Sequence, residues 1–365
     1  VQAWQRCLEI LDDEPITQLP TTLLAVRTEN AIGRVHLASG RFDKASSAYR
    51  DTLSRLDALD ETAREYSTAR LARGITLTQI INAWSAEHHY EQTRRGPRRR
   101  GAEYAPAPPK SLLNNFEQSS TILSRLAEEQ PDDREIQLAL AHCYSSILPY
   151  AWETEDVALS TESKQKTVGI LRHLHAQWPD TESLTFQLAD TLALTPEAVV
   201  EPLSNQDMTD LTESYTLAAD LHERFPTSLP NRLLLASTRL KLGTHHSLAQ
   251  NTEQAERLLK AAITDWQSLS DQAPTNALLQ VAHARTRWTL ADLQRRQNRP
   301  EEAIEELQAA LKNLESFINQ NGRAGISNGL LVGLYRRVAT FYEESGKPDL
   351  PTEARTKADA FRKAS

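Results

Sequence analysis

Apolar residues along this chain gather into helix-length runs that are closed by proline. The clearest marks are Pro131, Pro179, Pro226 and Pro274, spaced 48, 47 and 48 residues apart. Leucine stands five residues before each (Leu126, Leu174, Leu221, Leu269) and alanine ten residues after each (Ala141, Ala189, Ala236, Ala284). Four marks at one period predict an internal repeat. Each leucine is expected to pack the end of one helix, each proline to break that helix and open the next turn, and each alanine to mark a close helix crossing. Seven residues after each proline stand Leu138, Phe186, Leu233 and Val281, one turn from the alanine and predicted to share its buried face. Each unit reads as two helices.

Composition agrees. Only twelve glycines and 6% aromatic residues, with a surplus of Ala, Leu, Glu, Gln and Arg, suit helices better than strands. The net charge of −8 offers no global attraction to nucleic acid or anionic lipid, so any basic site must be local. No apolar run reaches the roughly 18–20 residues that span a bilayer, so no membrane insertion is expected within this sequence, and Val1 reads as a cut or processed start. Cys7 and Cys143 stand far apart without a CxxC spacing and read as buried free thiols. The compartment stays open between cytoplasm and the far side of a membrane.

Three places carry a shorter pattern, a small residue in one helix and Ala twelve residues on, with large apolar and small residues following. Gly33, Ala45 and Tyr49 form the first, Gly243, Ala255, Leu259 and Ala262 the second, and Ala291, Ala303, Leu307 and Ala310 the third. With the segments GRFDKASSAYRDTL (from Gly40) and NRPEEAIEELQAAL (from Asn298), this pattern resembles the tetratricopeptide repeat. The resemblance implies an all-α, right-handed solenoid of antiparallel helix hairpins. The period of 48 exceeds the family's length of about 34, an excess that two further turns on each helix would supply. The turns near Pro149 and Pro196 lack the small residue but still read as hairpins. A longer turn at Gly346, Lys347 and Pro348 precedes a last hairpin that caps the stack.

Residues 94–110 interrupt the helical texture with Gly, Pro and the arginines Arg94, Arg95, Arg98, Arg99 and Arg100. They predict an exposed loop between an N-terminal helical block, 1–93, and a solenoid, 111–365. The arginine run could meet phosphate or an acidic partner, although most such runs are simply solvated, and Tyr104 is the only nearby stacking residue.

Motifs for phosphate loops, nucleophile elbows, zinc pairs and kinases are absent. The ten histidines have no carboxylate or thiol cluster at ligand spacing. No cofactor and no metal are expected. The surface predicted to act is the inner wall formed by the first helix of each hairpin. Its outward positions are Arg27, Asn30 and Arg34, by spacing from Gly33, and Arg285, Trp288 and Arg295, by spacing from Ala291. Arginine and tryptophan dominate binding energy at interfaces, and arginine forks suit the carboxylates of an acidic peptide. The plain alternative is that these arginines are ordinary exposed helix residues and that Trp288 fills the hairpin core.

The stretch from Leu23 to Leu56, with LALAHCYSSIL and FQLADTLAL further on, also resembles the repeat tails that follow kinase domains in planctomycete-type bacterial serine/threonine kinases. That resemblance implies a sensing or docking role beside a catalytic part upstream. The expected function is thus a non-catalytic scaffold for a protein or peptide, with no nucleic acid expected. Its rivals are a small-molecule or glycan sensor holding a ligand against Trp84 or Trp152, a structural oligomerisation module, and an all-α enzyme. The repeat register is testable directly. Ala236→Trp or Ala284→Trp should overpack a helix crossing and cost roughly 1–3 kcal/mol or more; an unchanged melting temperature would refute the alignment.

Overall fold

The computed structural model describes residues 5, 6, 8, 19–95, 109–194, 204–322, 326, 328–344 and 351–363. Among them there is no strand. They gather into two compact units, one within 1–92 and 101–179, the other within 93–100 and 180–365. Cys7, Tyr104, Pro196, the turn at Gly346, Lys347 and Pro348, and most of the 94–110 segment lie outside the described residues.

In the first unit, α1 (Leu19–Ala38) and α2 (Phe42–Asp57) form a hairpin, followed by α3 (Glu61–Glu65) and the long α4 (Ser67–Arg95). Then come α5 (Lys110–Glu129), α6 (Arg134–Ser146), α7 (Leu148–Glu153) and α8 (Val157–Gln177). The second unit holds α9 (Glu182–Leu192), α10 (Asn205–Arg224), α11 (Leu229–Leu248) and α12 (Thr252–Gln272). It ends with α13 (Ala277–Arg296), α14 (Pro300–Asn321), α15 (Asn328–Glu344) and α16 (Pro351–Lys363). Successive helices pack against one another as hairpins, and the fold of the described residues is all-α. Helices α10 to α14 are 20–22 residues long, the lengthening that the 48-residue period requires.

The proline marks work through the residue in front of them. Proline excludes its predecessor from helical backbone, and Gln130, Trp178, Phe225 and Ala273 all leave the helix alike, with φ between −139° and −132° and ψ between 64° and 70°. Each sends its N–H to the carbonyl of the repeat leucine, Leu126, Leu174, Leu221 or Leu269. The side chains of those leucines are buried, as are the four alanines. One residue class does not follow the sequence reading: Leu138, Phe186, Leu233 and Val281 are only half-buried. The buried face is centred elsewhere, on the fifth and ninth positions after proline, Ile136 and Leu140 in α6 and Leu184 and Leu188 in α9. A fifth mark is Gly322, 48 residues beyond Pro274, which caps α14 at φ 78° with Phe317 buried five residues before it. Glycine reaches that left-handed backbone without steric cost.

The shorter pattern closes the hairpins. Gly33 lies so near Tyr49 that an added Cβ would stand 2.3 Å from Cε1 of the ring, and Gly243 meets Leu259 at 2.9 Å by the same measure. Tyr49, Ala45, Ala255, Leu259, Ala303 and Leu307 are wholly buried.

At two repeat positions of the buried face a polar residue stands where the other repeats carry an aliphatic one. Asn231 stands where α6 and α9 carry Ile136 and Leu184, and donates to Glu182 Oε1 at 2.8 Å. His283 stands where the other repeats carry Leu140, Leu188 and Leu235. Burial, with the Arg287 charge beside it, pushes its pKa down from 6.5 to about 4, and Arg287 Nε donates to its Nε2 at 3.1 Å. The folded chain therefore binds fewer protons at this site than the unfolded chain, and the stability at stake is present above pH 6.5 and lost as pH falls towards about 4. Denaturant midpoints should fall more steeply over that window for the native chain than for His283→Leu. Equal slopes would show that His283 does not titrate with unfolding.

Candidate functional site

Sequence-selected residues on α1 separate in space. Arg27 and Arg34, seven residues apart, are exposed on one side of the helix. Asn30 is buried, and its Nδ2 donates to Thr76 Oγ1 of α4 at 3.0 Å. It is a tie between helices and lies off the exposed side, because three residues from Arg27 it has turned about 60° towards α4.

In the second unit the structure forms a recess of about 370 Å³ between α11 and α13. Leu240, Thr244, Ser247 and Leu248 line it from α11, and Arg285, Trp288, Thr289, Asp292 and Arg296 from α13. Trp288 is half-buried and held from three directions. Its Nε1–H donates to Asp292 Oδ2 at 3.1 Å. The Arg337 guanidinium of α15 lies 4.8 Å from the ring centroid. Gly333 of α15 packs so closely that a Cβ there would come 2.5 Å from Cη2. Trp288 thus serves the core and the recess together.

Asp292 binds these parts into one group. Its Oδ1 accepts from Arg337 Nη1 at 2.6 Å while Oδ2 takes the indole N–H. Burial raises the carboxyl above its usual range, against the Arg337 charge and the Trp288 hydrogen bond, which favour the anion.

The arginines differ in what neutralises them. Arg285 is exposed and makes no ion pair among the described residues. Arg296 reaches across the recess to Ser247, through Nη2 to the hydroxyl and through Nη1 to the carbonyl at 3.2 Å, while its Nε–H donates to the Asp292 carbonyl at 3.2 Å; its charge is felt by the Asp292 carboxylate, with no ion pair formed. Arg295, chosen from the sequence, does not line the recess. Its Nη1 lies 3.0 and 3.2 Å from the two carboxylate oxygens of Glu344, and its guanidinium lies 5.3 Å from the Phe341 ring centroid. Arg296 was missed; it lies eleven residues from Arg285, a spacing that returns to the same helix face.

The other candidates are packed within the first unit. Trp84 is half-buried, stacked on His88 with centroids 4.9 Å apart, and 6.4 Å from Tyr150; Trp152 is also half-buried. A second recess, of about 320 Å³, is lined in part by Arg64, Arg70, Arg73 and Arg125. Most of that charge is matched: Arg70 and Arg125 share Glu129, and Arg73 pairs with Asp57. Of the basic run, Arg98, Arg99 and Arg100 lie outside the described residues, as do the side chains of Arg94 and Arg95. Cys143 is buried, and burial raises its thiol pKa. No group of His, Cys, Asp and Glu among the described residues could hold a metal ion, and no helix there is long and apolar enough to cross a membrane.

No protein-family model matches the sequence, and no curated protein matches it. Among solved structures the chain is similar to aspartyl phosphate phosphatase F from Bacillus subtilis, at 13% identity and a TM-score of 0.48, covering 93% of this chain and 75% of that one. It is similar to the S. pombe nuclear import adaptor Nro1 at 13% identity and 0.48, covering 80% and 94%. A tetratricopeptide repeat protein from Parabacteroides merdae follows at 10% and 0.38, covering 92% and 98%. At these identities and TM-scores none of them bears on what this chain does.

Arg295→Ala should cost no more than about 1 kcal/mol, because its pair with Glu344 is half-exposed, and should leave ligand binding at the recess unchanged. A loss of binding with an unchanged melting temperature would place Arg295 in the site after all.

Proposed function

We propose that this chain is a non-catalytic docking module that takes an acidic peptide segment in the recess between α11 and α13. The observation that carries the reading is the pair Arg285 and Arg296, two guanidiniums lining a partly apolar recess without an ion pair among the described residues. Bidentate arginine–carboxylate pairing supplies orientation as well as attraction. Leu240, Leu248 and Trp288 supply apolar surface for a neighbouring side chain. Trp288 is fixed by Asp292, Arg337 and Gly333, so less ordering entropy is lost on binding.

The association with a serine/threonine kinase rests on the sequence resemblance alone. It fits a docking module beside a catalytic part and adds no residue to the site.

The test is selection from a random peptide display library with the full chain, followed by affinity measurement on individual peptides. Enriched peptides should be acidic. Arg285→Glu combined with Arg296→Glu should weaken them at least tenfold while the helical signal stays the same, with Arg285→Glu alone as the variant that leaves the Ser247 contact intact. Selected peptides without acidic residues, or affinities indifferent to both variants, would overturn the reading.

A further inference from the structure

The recess has a length as well as a charge. Arg285 and Arg296 are eleven residues apart on α13 and both line it. Eleven residues complete three helical turns, so the two side chains leave one face at points about 16 Å apart along the axis. Trp288 and Asp292 lie between them on that face, and Leu240 lines the recess from α11.

For acidic residues four apart, that distance favours an extended ligand over a helical one. Two acidic residues four apart in a helix are separated by only about 6 Å of rise, too little to engage both arginines. In an extended segment the same two residues are about 13 Å apart and point to one side, because strand side chains alternate. The residue midway between them points to that side too. It would meet Trp288 and Leu240, beside the Asp292 carboxylate that Arg337 already occupies. An apolar side chain suits that place, and an acid there would face Asp292.

We infer that the recess recognises an extended segment with the order acidic, any, apolar, any, acidic. This specificity rests on the peptide-docking reading and adds the spacing and the central residue. Arg285 takes one terminal carboxylate of the motif and Arg296 the other.

The experiment uses the full chain and fluorescein-labelled peptides of one composition in different orders. Glu-Ser-Leu-Ser-Glu is compared with Glu-Glu-Leu-Ser-Ser and Glu-Leu-Glu-Ser-Ser, each between Gly-Ser flanks, by fluorescence anisotropy at low salt. The first should bind at least tenfold more tightly than the others. Arg285→Glu should abolish that advantage, and replacing a single terminal Glu of the peptide by Lys should restore it at one end only, which also gives the direction of the bound chain. Equal affinities for the three orders, or rescue at both ends alike, would overturn the spacing. If library-selected acidic peptides bind through Arg285 and Arg296 while the three orders bind equally, the spacing falls and the docking reading stands. If neither selected nor designed peptides bind, both fall.

Discussion

The architecture depends on how closely two long helices can approach. Each repeat buries a residue with nothing beyond Cβ, Ala141, Ala189, Ala236 or Ala284, and dispersion contacts are strong only at short range. Gly33 against Tyr49, Gly333 against Trp288 and Gly74 against Leu123 carry this furthest, since even a methyl group would intrude. Two residues beyond each alanine stands another small buried residue, Cys143, Thr191, Thr238 or Thr286. In Thr238 and Thr286 the hydroxyl returns to a carbonyl four residues back in its own helix, Leu234 at 2.9 Å and Ala282 at 2.8 Å. The polar atom is satisfied locally and asks nothing of the facing helix, so a threonine can line a crossing that has no room for a partner.

The same closeness builds the site. Because Gly333 brings α15 against Trp288, Arg337 reaches the indole ring and Asp292 together. Asp292 is a costly residue to bury, and its raised pKa records that cost. Both oxygens are engaged, one by a guanidinium and one by the indole N–H, which offsets the cost of burial. In exchange it fixes the side chain that gives the recess its apolar surface.

The repeat register was legible because leucine and alanine recur at fixed distances from proline, and each has one physical role. The fifth mark was not, since Gly322 replaces the proline with a different way of ending a helix. Within a helix, spacing identifies which residues share a face, and this brought Arg285 and Trp288 to the recess; applied three turns further it would also have found Arg296. Spacing does not say which neighbour a face meets. Asn30 was misread for that reason, because its partner Thr76 lies 46 residues away on α4. Arg295 finds Glu344 49 residues away. Polar ties between helices of a stack leave no local pattern, whereas apolar packing leaves a periodic one.

Arg295 and Arg296 show how one helix divides its charge between structure and surface. Successive residues on a helix point about 100° apart, so Arg295 turns towards α15 and finds a carboxylate, while Arg296 turns towards α11 and finds Ser247. The serine hydroxyl and carbonyl satisfy hydrogen bonds of the guanidinium without forming an ion pair, and the Asp292 carboxylate offsets its charge only from a distance. A carboxylate arriving at Arg296 therefore need not displace an anion, and less of its attraction is cancelled by a broken ion pair. Were Ser247 an acidic residue, it would form an ion pair with Arg296, and the recess would keep Arg285 as its guanidinium without one. A neutral tie at this position keeps α11 and α13 joined while leaving the charge available to a ligand.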